Sequence, residues 1–153
     1  MNPDLEALDE AITQFRAATQ LPAYQRRILA GLGLRGVSSI RVLRAVERLV
    51  RDGEAASIGQ VAAAVGVEHS TASRSAEALV QEGLLSKQVS PEDRRCNLLT
   101  LTSQGRSALR AATAHRQEAL KDVVREWSPA DMRTLTRLLH RLQASFEEEF
   151  QAP

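Results

Sequence analysis

Several features that would mark an enzyme, a membrane protein or a secreted protein are scarce in this 153-residue chain. Aromatic residues make up 3% of it, so Leu, Val, Ile and Ala must fill the core. No apolar run approaches the roughly 18 residues that a membrane span needs. The first residues are acidic, the reverse of a secretory signal's basic start. Cys96 is the single cysteine, which excludes an internal disulfide and favours the cytoplasm.

Arrangements of residues that perform catalysis or hold a metal are also missing. His69, His115 and His140 have no metal-ligand spacing, and Cys96 has no histidine at a useful distance. The sequence contains no Walker loop, nucleophile elbow or glycine-rich dinucleotide turn. We therefore predict no enzymatic activity, no catalytic residue, no metal and no cofactor.

The charge of the chain is uneven although its net value is only +1. Residues 16–51 hold eight arginines and one glutamate, whereas residues 57–106 hold five charges of each sign. The end of the chain is acidic again at Glu147, Glu148 and Glu149. The basic stretch permits binding of a polyanion, but solvated helix faces rich in arginine would give the same pattern.

Apolar periodicity and capping residues predict a mainly helical chain with one β-hairpin. The predicted helices cover 4–19, 22–32, a segment capped by Ser38 or Ser39, a segment from Ser57 to Gly66, 69–82, 103–126 and a last helix after Ser128. Ser57 has Gln60 three residues later, which is the spacing of a capping box. Two strands, 84–89 and 96–101, flank a charged turn.

The segment from Ser57 to Gly83 has the length and glycine positions of a helix-turn-helix. The outer side of its second helix begins with short hydroxyl residues and an arginine, which are residue types that reach base edges in the major groove. They are Ser70, Thr71, Ser73 and Arg74. A solvated helix face with Ser and Thr near its cap is the structural alternative.

The hairpin that follows predicts a wing whose turn contains Asp93, Arg94 and Arg95. Arginine suits the narrow, electronegative minor groove, and a carboxylate beside it can fix the direction of a guanidinium. We therefore expect Asp93 to orient Arg95 while Arg94 meets phosphate. An ordinary charged loop is the alternative.

The last helix carries Met132, Leu135, Leu139, Leu142 and Phe146 at alternating spacings of three and four residues. This rhythm is typical of a helix that packs along another helix. Because a chain of this size cannot cover all its long terminal apolar faces internally, the pattern favours a homodimer.

These motifs together resemble the multiple-antibiotic-resistance regulators, the MarR family. The resemblance is carried by residues 57–62, 66–67, 70–74, 79–85, 93–95 and 99–105. It implies a mainly α, winged helix-turn-helix fold, with the DNA-binding domain at 38–101 and helical dimerisation regions at 1–37 and 102–153. Glu68 departs from the family pattern, because many relatives have a hydroxyl or small polar residue at that cap.

The resemblance also implies a cytoplasmic, nucleoid-associated repressor. It is expected to bind a pseudo-palindrome in double-stranded DNA as a homodimer and not to bind a membrane. A small phenolic or acidic effector is expected to release the DNA, with Arg16, Tyr24 and Arg27 as candidate contacts. Two alternatives stay open: a winged-helix module that binds protein, and a regulator that responds to oxidants through Cys96.

Overall fold

The computed structural model describes residues 2–93 and 95–150, which form seven helices and one two-stranded antiparallel sheet. In chain order the elements are α1 (Pro3–Ala18), α2 (Pro22–Leu29), α3 (Val37–Arg51), α4 (Ile58–Val65), α5 (His69–Gln81), β1 (Leu85–Val89), β2 (Asn97–Leu101), α6 (Ser103–Val123) and α7 (Pro129–Phe150). The chain forms two compact units, one that ends at Ala119 and one that begins at Leu120. The mainly α fold with a small hairpin is confirmed.

Helix α2 is shorter than the predicted segment 22–32. It ends at Leu29 because Ala30 has an extended backbone, with ψ of 120°, and Gly31 follows with a φ of +71°. A positive φ is easy for glycine and costly for other residues, so the helix cannot continue through this position. The segment between α2 and α3 is therefore a loop that contains two glycines of positive φ, Gly31 and Gly33.

Helix α3 begins one residue before the predicted serine caps. Gly36 is its N-cap, and the Gly36 carbonyl oxygen accepts the first helical hydrogen bond from the Ser39 amide at 3.1 Å. Ser38 and Ser39 are already inside the helix, where a capping hydroxyl has no role. The apolar face of α3 forms the centre of the core, with Leu43 and Val46 completely buried.

Helices α4 and α5 form the predicted helix-turn-helix. The Ser57 hydroxyl accepts a hydrogen bond from the Gln60 amide, and the Gln60 side-chain oxygen accepts one from the Ser57 amide, each at 3.2 Å. This reciprocal capping box starts α4 at the predicted place. Gly66 ends α4 in the left-handed conformation, with φ of +74°, so the chain can turn into α5.

Ser57→Ala is expected to lower the free energy of unfolding by about 1 kcal/mol, because it leaves the Gln60 amide without its capping hydroxyl. Urea denaturation of both proteins measures the difference. Ser38→Ala is the matched control, since Ser38 is an exposed residue within α3 and caps nothing. Equal destabilisation by the two substitutions would contradict the assignment of the cap.

The hairpin is attached to α6 through Thr102. Strands β1 and β2 pair in the register Leu85 with Leu101, and the Ser86 and Thr100 hydroxyls lie 2.6 Å apart across the pair. The Thr102 hydroxyl donates to the Gly83 carbonyl oxygen at 2.7 Å and accepts from the Gly105 amide at 3.0 Å. It therefore caps α6 and also holds the segment that leaves α5.

One hydrophobic core joins α2 to α6 and the hairpin within the first unit. Its largest fully buried side chains come from α3, α4, α5 and both strands: Leu43, Val46, Val61, Leu79, Leu85 and Leu99. Ala72 and Ala76, each 1% exposed, let α5 approach the core closely. The core thus fixes which side of α5 remains outside.

In the second unit, α7 restarts the chain after a cap. The Asp131 amide donates to the Ser128 hydroxyl at 3.1 Å, and Pro129 is the first helical residue. No described residue of α7 is buried. The predicted apolar stripe is 39% exposed at Met132 and 48% exposed at Leu139. An apolar stripe left this open needs a partner surface.

Candidate nucleic-acid interface

Helix α5 has one buried side and one open side. Ala72, Ala76 and Leu79 face the core. Ser70, Thr71 and Arg74 are exposed on the opposite side of the N-terminal half. The helix therefore presents two hydroxyls and a guanidinium outward, close to its N-terminus, where amide groups also favour anions.

Ser73 differs from the other predicted contact residues. It is half-buried, and its hydroxyl lies 3.5 Å from a Glu77 carboxylate oxygen on the next turn. Glu68 is the N-cap of α5 but its side chain forms no capping hydrogen bond. The Thr71 amide donates to the Glu68 carbonyl oxygen at 3.0 Å, and the Glu68 carboxylate caps none of the first-turn amides, which leaves the start of α5 accessible to an anion.

The turn of the hairpin is built by side chains that bind the backbone. Ser90 is buried, and its hydroxyl accepts hydrogen bonds from the Glu92 and Asp93 amides at 3.3 and 3.4 Å. The backbone closes the turn through Ser90 to Cys96 at 2.8 Å and Cys96 to Asp93 at 2.9 Å. These bonds fold the long turn into a defined wing tip.

The Asp93 carboxylate takes part in the turn itself. It accepts a hydrogen bond from the backbone amide of Arg95 at 2.9 Å, and its expected role in orienting the Arg95 guanidinium stays a prediction. A carboxylate two residues before an amide reaches it easily, which is the geometry of an Asx turn. Asp93 therefore shapes the turn, and the exposed Arg95 side chain is left available. Arg94, predicted to meet phosphate, lies outside the described residues.

Cys96 lies half-buried at the base of the wing tip. Its thiol is 4.0 Å from the Asn97 carbonyl oxygen, a weak contact. The position is compatible with simple packing, and a redox role for Cys96 stays a prediction.

An ion pair at the other end of α5 was not predicted from the sequence. The Arg35 Nε atom lies 2.8 Å from a carboxylate oxygen of Glu82, the C-cap residue of α5. Arg35 belongs to the loop between α2 and α3, so the pair links that loop to the end of the helix. The residues are 47 positions apart in the chain, and no local pattern signals such a contact.

The three residues predicted to bind an effector do not line the cavity found in the first unit. Arg16 is exposed on α1, Tyr24 packs partly against the core and Arg27 is exposed on α2. The cavity, of about 270 Å³, is lined instead by arginines of α3 and α6 above an apolar floor. We call it the arginine cavity, after Arg41, Arg44, Arg48 and Arg116.

Burial lowers the pKa of Arg44 below its ordinary value, and the nearby Arg116 guanidinium lowers it further, while Glu47 raises it in part. The positively charged side chains of Arg44 and Arg116 therefore lie close to each other at a cavity that is partly shielded from solvent. The basic stretch at residues 16–51 was a signal for Arg41, Arg44 and Arg48, but nothing in the sequence indicated that they converge with Arg116.

Over residues 2–93 and 95–150, no helix is both long and apolar enough to cross a membrane. The same residues contain no group of three or more His, Cys, Asp or Glu side chains that could hold a metal ion.

Two helices joined by a tight glycine turn and followed by a hairpin define a winged helix-turn-helix domain. Residues 31–95 match the model of the MarR family. The family is one of non-enzymes, in agreement with the expectation from the sequence.

A curated relative matches part of the chain. YxaD of Bacillus subtilis, an uncharacterized HTH-type transcriptional regulator, is 31% identical over 91 residues, which cover 60% of this chain and 64% of YxaD. The chain thus spans less than two thirds of the curated relatives that it matches.

Solved structures share the fold over nearly the whole chain. A MarR family protein from Bacillus stearothermophilus has a TM-score of 0.75 at 20% identity, over 95% of this chain and 98% of that one. The M. tuberculosis regulator MOSR, solved in complex with DNA, has a TM-score of 0.59 at 26% identity, over 88% and 96% of the two chains.

Proposed function

We propose that this protein is a sequence-specific DNA-binding transcription regulator, a repressor that binds a pseudo-palindromic operator as a homodimer. The observation that carries the proposal is the open side of α5, where Ser70, Thr71 and Arg74 stand exposed opposite the buried Ala72 and Ala76. The DNA complex of the similar regulator MOSR supports it.

In the proposed complex, α5 enters the major groove with its N-terminal half. Arg74 can pair bidentately with guanine, and Ser70 and Thr71 can bind base edges or phosphate. The wing reaches the adjacent minor groove, where Arg95 is attracted by the negative potential. The turn held by Ser90 and Asp93 keeps Arg95 in place, which reduces the entropy lost on binding.

The second copy of the chain is proposed to cover the exposed apolar stripes of α1 and α7. Leu5 and Phe15 of α1 are 62% and 66% exposed, so this helix offers a second open apolar face. A two-fold dimer would hold its two α5 helices about one DNA turn apart, which suits an inverted repeat.

A small acidic or phenolic ligand is proposed to release the DNA. Arg16, Tyr24 and Arg27 remain the ligand contacts that the sequence predicts. The arginine cavity favours an acidic ligand over a phenolic one.

The decisive experiment is a titration of the full chain against DNA that flanks its own gene, at several salt concentrations. A random duplex of the same length and composition is the control. Tight, saturable and salt-sensitive binding to the flanking DNA alone supports the proposal. Equal binding to both duplexes would contradict sequence recognition, and no binding at low salt would favour the protein-interaction module.

Arg95→Ala and Arg74→Ala are each expected to weaken operator binding by about 1–3 kcal/mol. Arg74→Ala should also relax the preference for one base pair, because Arg74 is proposed to read a base. Arg95→Ala should affect the flanking minor-groove positions instead. Titrations against operators with single base-pair changes measure both effects. Unchanged affinity in both variants would contradict the residue assignment.

A further inference from the structure

Helix α5 is tied at its C-terminal end to a loop that is distant in the sequence. The Arg35 Nε atom lies 2.8 Å from the Oε1 atom of Glu82, the C-cap residue of α5. Arg35 comes directly before Gly36, the N-cap of α3. The ion pair therefore joins the start of α3 to the end of the helix proposed to enter the major groove.

The backbone that carries Arg35 is anchored on both sides. Leu32 and Leu34 are partly buried and pack against the core of the first unit. On the other side, the Gly36 carbonyl oxygen accepts a hydrogen bond from the Ser39 amide at 3.1 Å, within the first turn of α3. The ion pair of Arg35 therefore connects α5 to the core of the unit rather than to a free loop.

Glu82 contributes little to stability at this place. A negative charge at a helix C-terminus is unfavourable, because it lies at the negative end of the helix dipole. The Glu82 side chain is 21% exposed, and its Oε2 atom is buried without a hydrogen bond to any described residue, which lowers stability. The pair itself adds little, since the Arg35 side chain is 75% exposed and screened by solvent. This arrangement favours a role in orientation over a role in stability.

The small buried side chains of α5 leave its exact tilt to contacts at its ends. Two of its three buried residues, Ala72 and Ala76, contribute only methyl groups to the packing, and the third is Leu79. Arg74, proposed to read a base, lies eight residues before Glu82, or about 12 Å along the helix axis. A tilt of about 5° at the C-terminal end would move Arg74 by about 1 Å, enough to disturb its paired hydrogen bonds with guanine.

We propose that Arg35 and Glu82 are positioning residues, which hold α5 at the angle at which its N-terminal half fits the major groove. Neither residue contacts DNA, and the pair acts through Arg74 and the hydroxyl residues beside it. The effect on DNA rests on the function proposed above, whereas the anchoring of α5 by the pair does not.

The first test follows amide hydrogen exchange in the full chain without DNA. Arg35→Gln should speed the exchange of the Gly83 and Leu84 amides by about fivefold, because their hydrogen bonds to α5 carbonyl oxygens close the end of the helix. Arg51→Gln is the matched control, since it makes the same change of charge and its ion pair with Asp52 joins two neighbours in the chain. Unchanged exchange of both amides in Arg35→Gln would overturn the proposal.

The second test measures the ratio of operator affinity to random-duplex affinity. Arg35→Gln and Glu82→Gln should each lower this ratio by about fivefold and leave the midpoint of urea denaturation unchanged. The two substitutions change the net charge in opposite directions, so general attraction to phosphate cannot explain a loss in both. Asp52→Asn removes the same charge at the C-cap of α3 and should leave the ratio unchanged. A fall in the ratio that merely follows a fall in the urea midpoint would contradict the positioning role.

Exchanging the two charges separates the pair from its members. The double variant of Arg35→Glu with Glu82→Arg keeps the net charge and allows the ion pair, so it should recover at least about half of the loss caused by Arg35→Glu alone, on a logarithmic scale. No recovery, or a loss in Arg35→Gln without a loss in Glu82→Gln, would overturn the proposal and indicate that Arg35 contacts phosphate directly. If the wild type prefers neither duplex, the proposed function fails, and faster exchange in Arg35→Gln still supports the anchor.

Discussion

Leu139→Arg is expected to convert the proposed dimer into a monomer and to weaken operator binding by at least about 100-fold. Leu139 lies in the middle of the apolar stripe of α7 and is 48% exposed within its own unit. A guanidinium at position 139 should lower the folding stability of the unit little, because solvent already reaches this position. In the dimer, the same guanidinium would be buried against an apolar surface without a partner charge.

The loss of affinity follows from the two half-sites of the proposed operator. When two recognition helices are joined in one dimer, the second binds as an intramolecular event, and this advantage disappears in a monomer. Light scattering measures the mass, which should fall from twice 16.8 kDa to 16.8 kDa. Titration with the operator measures the affinity.

Ala144→Arg is the matched control for this prediction. Helical spacing puts Ala144 on the side of α7 that carries Arg133, Arg137 and Arg141, away from the apolar stripe. Arginine at position 144 is therefore expected to leave both the mass in solution and the operator affinity unchanged. A dimer of undiminished stability in Leu139→Arg would contradict the proposed interface, as would equal dissociation of both variants.

Gly105→Ala is expected to lower the free energy of unfolding by about 3 kcal/mol. A Cβ atom at Gly105 would collide with the carbonyl oxygen of Leu84. That carbonyl cannot retreat easily, because it accepts a hydrogen bond from the Thr102 amide at 3.1 Å. The Thr102 hydroxyl also binds the neighbouring Gly83 carbonyl at 2.7 Å. The collision therefore pushes the start of α6 away from the segment that joins α5 to β1.

Gly59→Ala separates this collision from the general effect of replacing a helical glycine. Gly59 lies in the first turn of α4, and the nearest atom to an added Cβ is the Ser57 hydroxyl at 4.0 Å. Alanine should stabilise this helix by about 0.5–1 kcal/mol, since it restricts the unfolded chain more than glycine does. Urea denaturation measures both variants. A Gly105→Ala protein as stable as the wild type would contradict the contact.

The local elements of the fold could be predicted because their signals lie within a few residues of each other. Ser57 and Gln60 determine the start of α4, and Gly66 determines its end, through contacts that span one helical turn. The failure at Ser38 has a local cause too: an N-cap serine must be the last residue before the helix, whereas Gly36 is the N-cap here and Ser38 already lies within α3.

The candidate interface was only partly predictable. The sequence indicated which residue types lie on the outer side of α5, because period 3.6 separates Ala72 and Ala76 from Ser70 and Arg74. It did not indicate that the Asp93 carboxylate would accept a hydrogen bond from the Arg95 amide. That choice depends on the conformation of the turn, which Ser90 fixes from inside the hairpin.

The sequence by itself determined the helical class, the helix-turn-helix, the hairpin and the open apolar stripe of α7, because periodicity and capping are local properties. Only the tertiary structure decided which distant residues meet. Arg44 and Arg116 are 72 positions apart, yet the packing of α3 near α6 brings their charges together at one cavity. The link from Arg35 to Glu82 and the contact of Gly105 with Leu84 arise in the same way. Such contacts follow from how whole elements pack against a shared core, and no window of the sequence contains both partners.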